Sequence, residues 1–261
     1  MKAAKLLAVL VALLLAAGVP AGAVTNGNGD LIATFDGSLS PTALPRESLA
    51  PVGVHVAGSF RSASGDSDHL PQLRRIVVAI NRGGRLFDRG LPVCRSRQIQ
   101  PSTEAEARRV CGDGLIGSGH VTVQVRIPSQ LPFKVRAKLL VFNGPRQNGQ
   151  KLIFAEAYAR NPPGTFLLTF RVDRRSGTYG TVLSTTLPRR TRNWAYLTHF
   201  DMTLRRTYTY RERERSFVSA SCPAPAGFNR IVFPFAKATY GFANGQSLSL
   251  SEAAVCRVAS E

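Results

Sequence analysis

The 261-residue sequence predicts an all-β fold: an antiparallel two-sheet sandwich, jelly-roll-like or a partly closed barrel, with one short helix near 102–111. The strand number expected is about 10–12, too many for one open sheet with a single buried face. Three observations predict this class. Apolar residues recur with a period of two through most of the chain. Gly and Pro clusters break the runs at strand-length spacing. A single stretch carries helix-capping signals.

The strands read in order. Val52, Val54 and Val56 alternate with Gly53, His55 and Ala57. Residues 76–80, IVVAI, form an apolar run between Arg75 and the turn Asn81-Arg82-Gly83-Gly84. Val121, Val123, Val125 and Ile127 share one face, with His120, Thr122, Gln124 and Arg126 on the other. Phe133, Val135, Ala137, Leu139 and Val141 alternate with Lys134, Arg136 and Lys138. Half-buried strands carry this pattern because successive side chains point to opposite faces. NGPRQNGQ at 143–150, NPPG at 161–164 and Asn244-Gly245 within 243–246 are the turns, the last a hairpin signal. The helix is PSTEAEARRVC at 101–111, where Thr103 caps, Glu106 completes a capping box, and Arg108 and Arg109 lie in the last turn.

The first 23 residues combine Lys2 and Lys5, an apolar run over 6–19, and the small-residue pattern Ala21-Gly22-Ala23. They read as a secretory signal peptide cleaved after Ala23. An uncleaved anchor is the alternative, but the apolar part is shorter than the ~20 residues a spanning helix needs. The domain plan is a signal peptide at 1–23, a flexible Gly/Asn spacer at 24–34 and a single β domain at 35–261. Secretion, or association with the cell envelope, follows as an expectation, with no transmembrane segment after cleavage.

Four cysteines after an export signal imply two disulfides. Pairing Cys94 with Cys111 and Cys222 with Cys256 closes the shorter loops and is favoured over the other two pairings. A four-thiolate zinc site needs close pairs such as C-x-x-C, which are absent.

Charge is uneven. Residues 24–73 carry two basic and five acidic side chains, whereas 74–261 carry 30 basic and 11 acidic. A segment at +19 attracts polyanions, such as an acidic cell-envelope polymer, at low salt. The excess of 28 arginines over 6 lysines is also what GC-rich coding produces. The densest basic stretch, 189–215, interleaves arginines with Trp194, Tyr196, Phe200, Tyr208 and Tyr210. Its candidate anion-binding residues are Arg189, Arg190, Arg192, Arg205 and Arg206. No signal for a specific nucleic acid is present, and Trp194, Tyr196, Phe200 and Met202 fall on one period-two face, as core residues do.

No catalytic frame emerges. GDGLIG at 112–117 matches G-x-G-x-x-G, but a helix precedes it and a strand follows, the reverse of a dinucleotide site. Its glycines read as shaping the turn into strand 120–127. Asp66, Asp68 and His69 lack the rest of a calcium loop. His55, His69, His120 and His199 are scattered along the chain, and no nucleophile elbow surrounds Ser118. The expected function is therefore an exported, non-catalytic domain without cofactor or metal, binding a polyanion through arginine-rich turns. A secreted hydrolase with a site formed from distant residues is the alternative.

Four phrases carry a resemblance: FDGSLSPTALPRESLAPV at 35–52, GLPVC at 90–94 with Cys111 following, GTYGTVLSTTLP at 177–188 and SFVSASCPAPAGF at 216–228. They resemble a group of uncharacterised secreted proteins of high-GC Gram-positive bacteria. The resemblance implies one unit over 35–257 and marks CPAPAGF as a landmark; it brings no activity and no catalytic residues. In that group a glycine commonly occupies the turn where this chain has RERE. With Glu212-Arg213 as the loop, Arg211 would face Glu214, Tyr210 would face Arg215 and Tyr208 would face Phe217.

Overall fold

The computed structural model describes residues 23–65, 70–100, 103–187 and 195–259. In chain order its strands are β1 (Val24–Asn28), β2 (Leu31–Ser40), β3 (Ala43–Leu44), β4 (Ala50–Pro51), β5 (Gly53–Ser62), β6 (Leu73–Asn81), β7 (Gly84–Leu86), β8 (Leu115–Val125) and β9 (Phe133–Gln147). They continue as β10 (Gln150–Arg160), β11 (Pro163–Arg174), β12 (Tyr179–Thr186), β13 (Ala195–Leu204), β14 (Thr207–Tyr210), β15 (Arg213–Ser216), β16 (Val218–Ala220), β17 (Arg230–Phe242) and β18 (Ser247–Val258). Two short helices, α1 (Ser96–Ile99) and α2 (Glu104–Cys111), follow β7.

The fold is all-β, and of the forms the sequence allowed it takes the partly closed barrel. One 13-stranded sheet runs β1-β2-β5-β13-β8-β9-β10-β11-β12-β6-β17-β18-β3 and curls on itself. All its pairs are antiparallel except β18 with β3. Its concave face carries the main core, including Phe35, Phe60, Leu139, Tyr240 and Leu250. A three-stranded sheet, β4-β16-β7, lies at one end with Leu86, Val218 and Ala220 packed into that core. We call this the capped end.

Strands β9 and β10 break the alternation, with apolar residues on both faces through Leu139–Phe142 and Leu152–Ala155. The reason is a second layer. Helix α2 and the Cys94–Cys111 disulfide lie on the convex side, and Leu140, Phe142, Leu152 and Phe154 are buried there with Ile99 and Ala107. Thr103 caps α2 and shares a capping box with Glu106, as the sequence predicts. Both disulfides pair as expected, with Cα–Cα distances of 5.6 Å for Cys94–Cys111 and 5.7 Å for Cys222–Cys256. The second ties the chain leaving β16 to the interior face of β18.

Beneath the loop before α1, Asn143 is fully buried and donates to Leu91 O and Pro92 O. Lys151 donates to the Asn143 side chain and to Gly144 O, and pairs with Asp88 at 3.1 Å. Burial holds the Lys151 ammonium below its ordinary range, partly offset by Asp88. Burial acts to raise Asp88, but Lys151 and Arg146 outweigh it and hold the carboxyl low. A buried polar side chain with these partners fixes one position for the loop.

Three expectations are corrected. The stretch 24–34 is no spacer: β1 pairs with β2 from Val24↔Phe35 to Asn28↔Leu31, because the apolar residues of β2 bury and carry the edge strand with them. Strand β9 extends through Gln147, since Asn148 and Gly149, at φ 51° and 77°, suffice for a two-residue hairpin turn. Gly117 lies inside β8 and not in a turn before it. Gly119, two residues on, is required by close approach: a Cβ there would sit 1.9 Å from Asp201 O of β13.

The RERE turn is also shifted. Arg211 and Glu212 are the loop, at φ 51° and 60°, and the pairs are Tyr210↔Arg213, Thr209↔Glu214 and Tyr208↔Arg215. The two tyrosines decide the register, because both pack on the loop after β7. Tyr208 Oη donates to Phe87 O and Arg89 O at 3.1 and 3.0 Å. The Tyr210 ring fills the space over Gly90, where a Cβ would come within 2.0 Å of it. Burial, followed by the Asp88 charge, pushes the Tyr208 phenol up to about 12, so it stays a donor through the physiological range.

Tyr208→Phe keeps the ring and loses the hydrogen bond, so equilibrium denaturation should show a loss of about 1 kcal/mol, and Tyr208→Ala should lose more. An unchanged midpoint for Tyr208→Ala would contradict this packing.

Candidate functional site

The period-two alternation of the curled sheet sends apolar side chains inward from almost every strand. Phe35 and Leu39 come from β2, Val54 and Val56 from β5, Ile76, Val78 and Ile80 from β6, Leu168 and Phe170 from β11, and Phe200, Met202 and Leu204 from β13. Together with cap residues such as Leu86 and Val218 they enclose an apolar cavity of about 160 Å³. That volume holds roughly five groups the size of a water or a methylene.

The packing around it is uneven. Phe35, Val56, Tyr240 and Leu250 are buried, and Phe60 meets Tyr240 edge to face at 4.8 Å and Phe242 at 5.8 Å. Ile76, Val78, Ile80, Leu168, Phe170, Leu183, Phe200 and Met202 also point inward yet are only half-buried, even where they neighbour buried residues, as Ile76 does Tyr240 and Met202 does Val56.

Polar atoms in the lining are few. Asn81 is satisfied, donating to Pro234 O at 2.7 Å and accepting from the Gly83 N–H at 2.8 Å. Thr181 and Tyr240 are each 1% exposed, and their hydroxyls have no hydrogen-bond partner. Burial pushes the Tyr240 phenol well above its ordinary range, so it is a neutral donor. Through β6, Thr181 aligns with Ile80 and Tyr240 with Ile76. Four strand residues, about 13 Å, therefore separate Thr181 and Tyr240 along the strand direction. An apolar cavity with isolated hydroxyls near both ends suits a molecule with an apolar body and a polar group. The sequence signal was present but unread: Thr181 and Tyr240 are polar residues at inward positions of alternating strands.

A second constellation lies on the convex face. His55, His120, His199 and Asp201, distant in sequence, come together on the adjacent strands β5, β13 and β8. His55 Nε2 lies 2.9 Å from Asp201 Oδ2, and an open groove is lined by His120, Thr122, Arg136, His199 and Asp201. Burial, then Lys138 and Arg136, push the His120 imidazole down, favouring its neutral form. Among the described residues no group of three His, Cys, Asp or Glu side chains is arranged to hold a metal ion.

Of the candidate anion-binding arginines, Arg205 and Arg206 follow β13 at the capped end. Arg205 is exposed, and Arg206 donates to Asp113 O at 3.3 Å while its Nε is buried without a partner. Around them are further exposed arginines: Arg82 before β7 and Arg85 in it, Arg174 and Arg175 at the end of β11, and Arg211, Arg213 and Arg215 on the β14–β15 hairpin. Contacts knit this end together, as Arg174 donates to Leu86 O and Arg215 lies over Phe87. Arg189, Arg190 and Arg192 lie outside the described residues, as do Asp66, Asp68, His69 and Trp194. Leu187 and Ala195, which flank the stretch holding the three arginines, are at the end opposite the cap.

Compared with known families, with curated proteins and with solved structures, the chain has no significant match in any of the three.

Because the Thr181 and Tyr240 hydroxyls have no partner, Thr181→Val and Tyr240→Phe should leave the ligand-free protein as stable as before or stabilise it by up to about 1–2 kcal/mol. A loss of that size in chemical denaturation would show that the hydroxyls serve the fold instead.

Proposed function

We propose that the chain is an exported, non-catalytic binding domain that holds a small amphiphilic molecule, an apolar body with a hydroxyl or carboxyl group, inside its curled sheet. The observation that carries this reading is the apolar cavity whose buried Thr181 and Tyr240 hydroxyls lack partners. A buried hydroxyl without a partner costs free energy, and a ligand that supplies one recovers it. The two disulfides and the apolar leader support export. The hydrolase alternative finds its nearest footing in the His55–Asp201 pair, but among the described residues no serine hydrogen-bonds to these histidines.

The test is displacement of an environment-sensitive apolar dye by medium-chain alcohols, acids and alkanes. Tyr240→Phe or Thr181→Val should weaken binding of the alcohol or acid by roughly 2- to 10-fold and leave alkane binding unchanged. Val78→Phe, which fills the cavity, should abolish dye uptake. Dye binding that ignores Val78→Phe would overturn the reading.

A second reading concerns the arginines. Their gathering at the capped end supports docking to an acidic envelope polymer, through Arg205, Arg206 and their neighbours. Binding to teichoic-acid-type polyphosphate should fall steeply between 50 and 200 mM salt, in the manner of counterion release, and Arg205→Ala should reduce the salt slope by about 1. Affinity that is independent of salt would remove this role.

A further inference from the structure

The curled sheet closes where its first strand meets its last long one, and the closure is unusual in its chemistry. β18 packs against β1 and β2, but no ladder joins β18 to β1. Instead, Asn26 Nδ2 donates to Ser249 O at 2.9 Å, and Gln246 Nε2 donates to Asn28 O at 3.0 Å. The third contact is between the Val24 backbone N–H and the Glu252 carboxyl. Residue numbers rise along β1 as they fall along β18, so the three contacts form an antiparallel seam made partly of side chains.

Glu252 is out of place in that seam. It occupies an inward position of β18 between Leu250 and Ala254, and it is 2% exposed. Its Oε2 has no partner, and among the described residues no lysine, arginine or histidine forms an ion pair with it. Asp36, on the adjoining strand β2, adds a like charge. Burial first, then Asp36, raises the carboxyl above its ordinary range, and only the Val24 N–H favours its charged form. A buried carboxyl near a like charge is kept ionised only if a cation joins it; otherwise it holds its proton.

The backbone atom that faces Glu252 is the nitrogen of the residue directly after the small-residue cleavage pattern. Val24 is the first residue of β1, its side chain packs against the main core, and Ala23 before it is exposed. We propose that hydrolysis of the Ala23–Val24 peptide bond creates an α-ammonium on Val24 that pairs with the buried Glu252 carboxylate, so that removal of the leader locks the β1–β18 seam. This rests on the export reading. The reaction consumes one water: the C–N bond breaks, the hydroxyl stays on the Ala23 carboxyl, and a proton goes to the Val24 amine, which is a cation at neutral pH. The peptidase is the leader-removing enzyme of the export route. Before cleavage the seam has an amide donor facing an acid; afterwards it has a full charge pair between a half-buried terminus and a buried carboxyl.

The experiment compares the chain beginning at Val24 with a free amine, the same chain acetylated there, and a chain retaining Gly22-Ala23, each with and without Glu252→Gln. The free-amine chain should melt at least about 2–4 °C above the other two near pH 7. The gap should vanish in Glu252→Gln. The amine's pKa is raised by the pair, so the gap should be full near pH 7, disappear as pH rises above about 8 through the raised value, and disappear again in acid as the Glu252 carboxyl takes up a proton. Amine-directed labelling of Val24 should be at least tenfold slower in the wild-type background than in Glu252→Gln. Equal melting temperatures for the three chains, or a gap that persists in Glu252→Gln, overturns the pairing. An N-terminus other than Val24 on the secreted protein overturns the cleavage. Dye uptake by the free-amine and acetylated chains tests the carrier reading separately, since the cavity residues are the same in both.

Discussion

A single wide sheet with one continuous apolar face must bury that face against itself. Nearly everything else in this structure follows from that constraint. Thirteen strands joined edge to edge offer no second sheet of comparable size to pack on. Curling brings Phe35 and Val56 across from Leu139 and Ile153 in one core. The curl depends on close approach between strands, which is why Gly119 faces the backbone of β13 with no room for a side chain. It also leaves an open end, which the small β4-β16-β7 sheet fills and the Cys222–Cys256 disulfide holds in place.

Closure of this kind does not fill the interior evenly. Where β2, β5, β17 and β18 come together, the inward side chains are buried, and rings of β5 and β17 meet edge to face. On β6, β11, β12 and β13, inward side chains remain half-buried around a cavity. Close packing is what a core needs for stability, and an apolar void forfeits contacts. A void lined by hydroxyls with no partner forfeits hydrogen bonds too. That combination is a poor way to build a core and a direct way to build a ligand site.

Charge is sorted by the same topology. The arginine-bearing turns and hairpin collect around the cap, while Asp36 on β2 and Glu252 on β18 add negative charge near the seam. The two regions make opposite demands. Solvated arginines at a rim cost little and act at a distance. A carboxyl at 2% exposure acts on its near neighbours, and among them is the backbone nitrogen of Val24.

The sequence by itself determined the local structure. Period-two alternation marked the strands, Thr103 and Glu106 marked the start of α2, and the short loops between cysteines marked both disulfides, because each depends on neighbours within a few tens of residues. The all-β class followed from counting such signals. Tertiary structure alone decided the rest. Residues 24–34 carry a spacer's composition and become strand only because β2 offers them an edge to pair with. The turn in RERE moved by one residue because Tyr208 and Tyr210 pack on a loop more than a hundred residues earlier in the chain. Thr181 and Tyr240, or His55 and Asp201, are meaningless as pairs until strand order is known. Strand order is set by which edges meet when the sheet curls, a long-range property that no local pattern encodes.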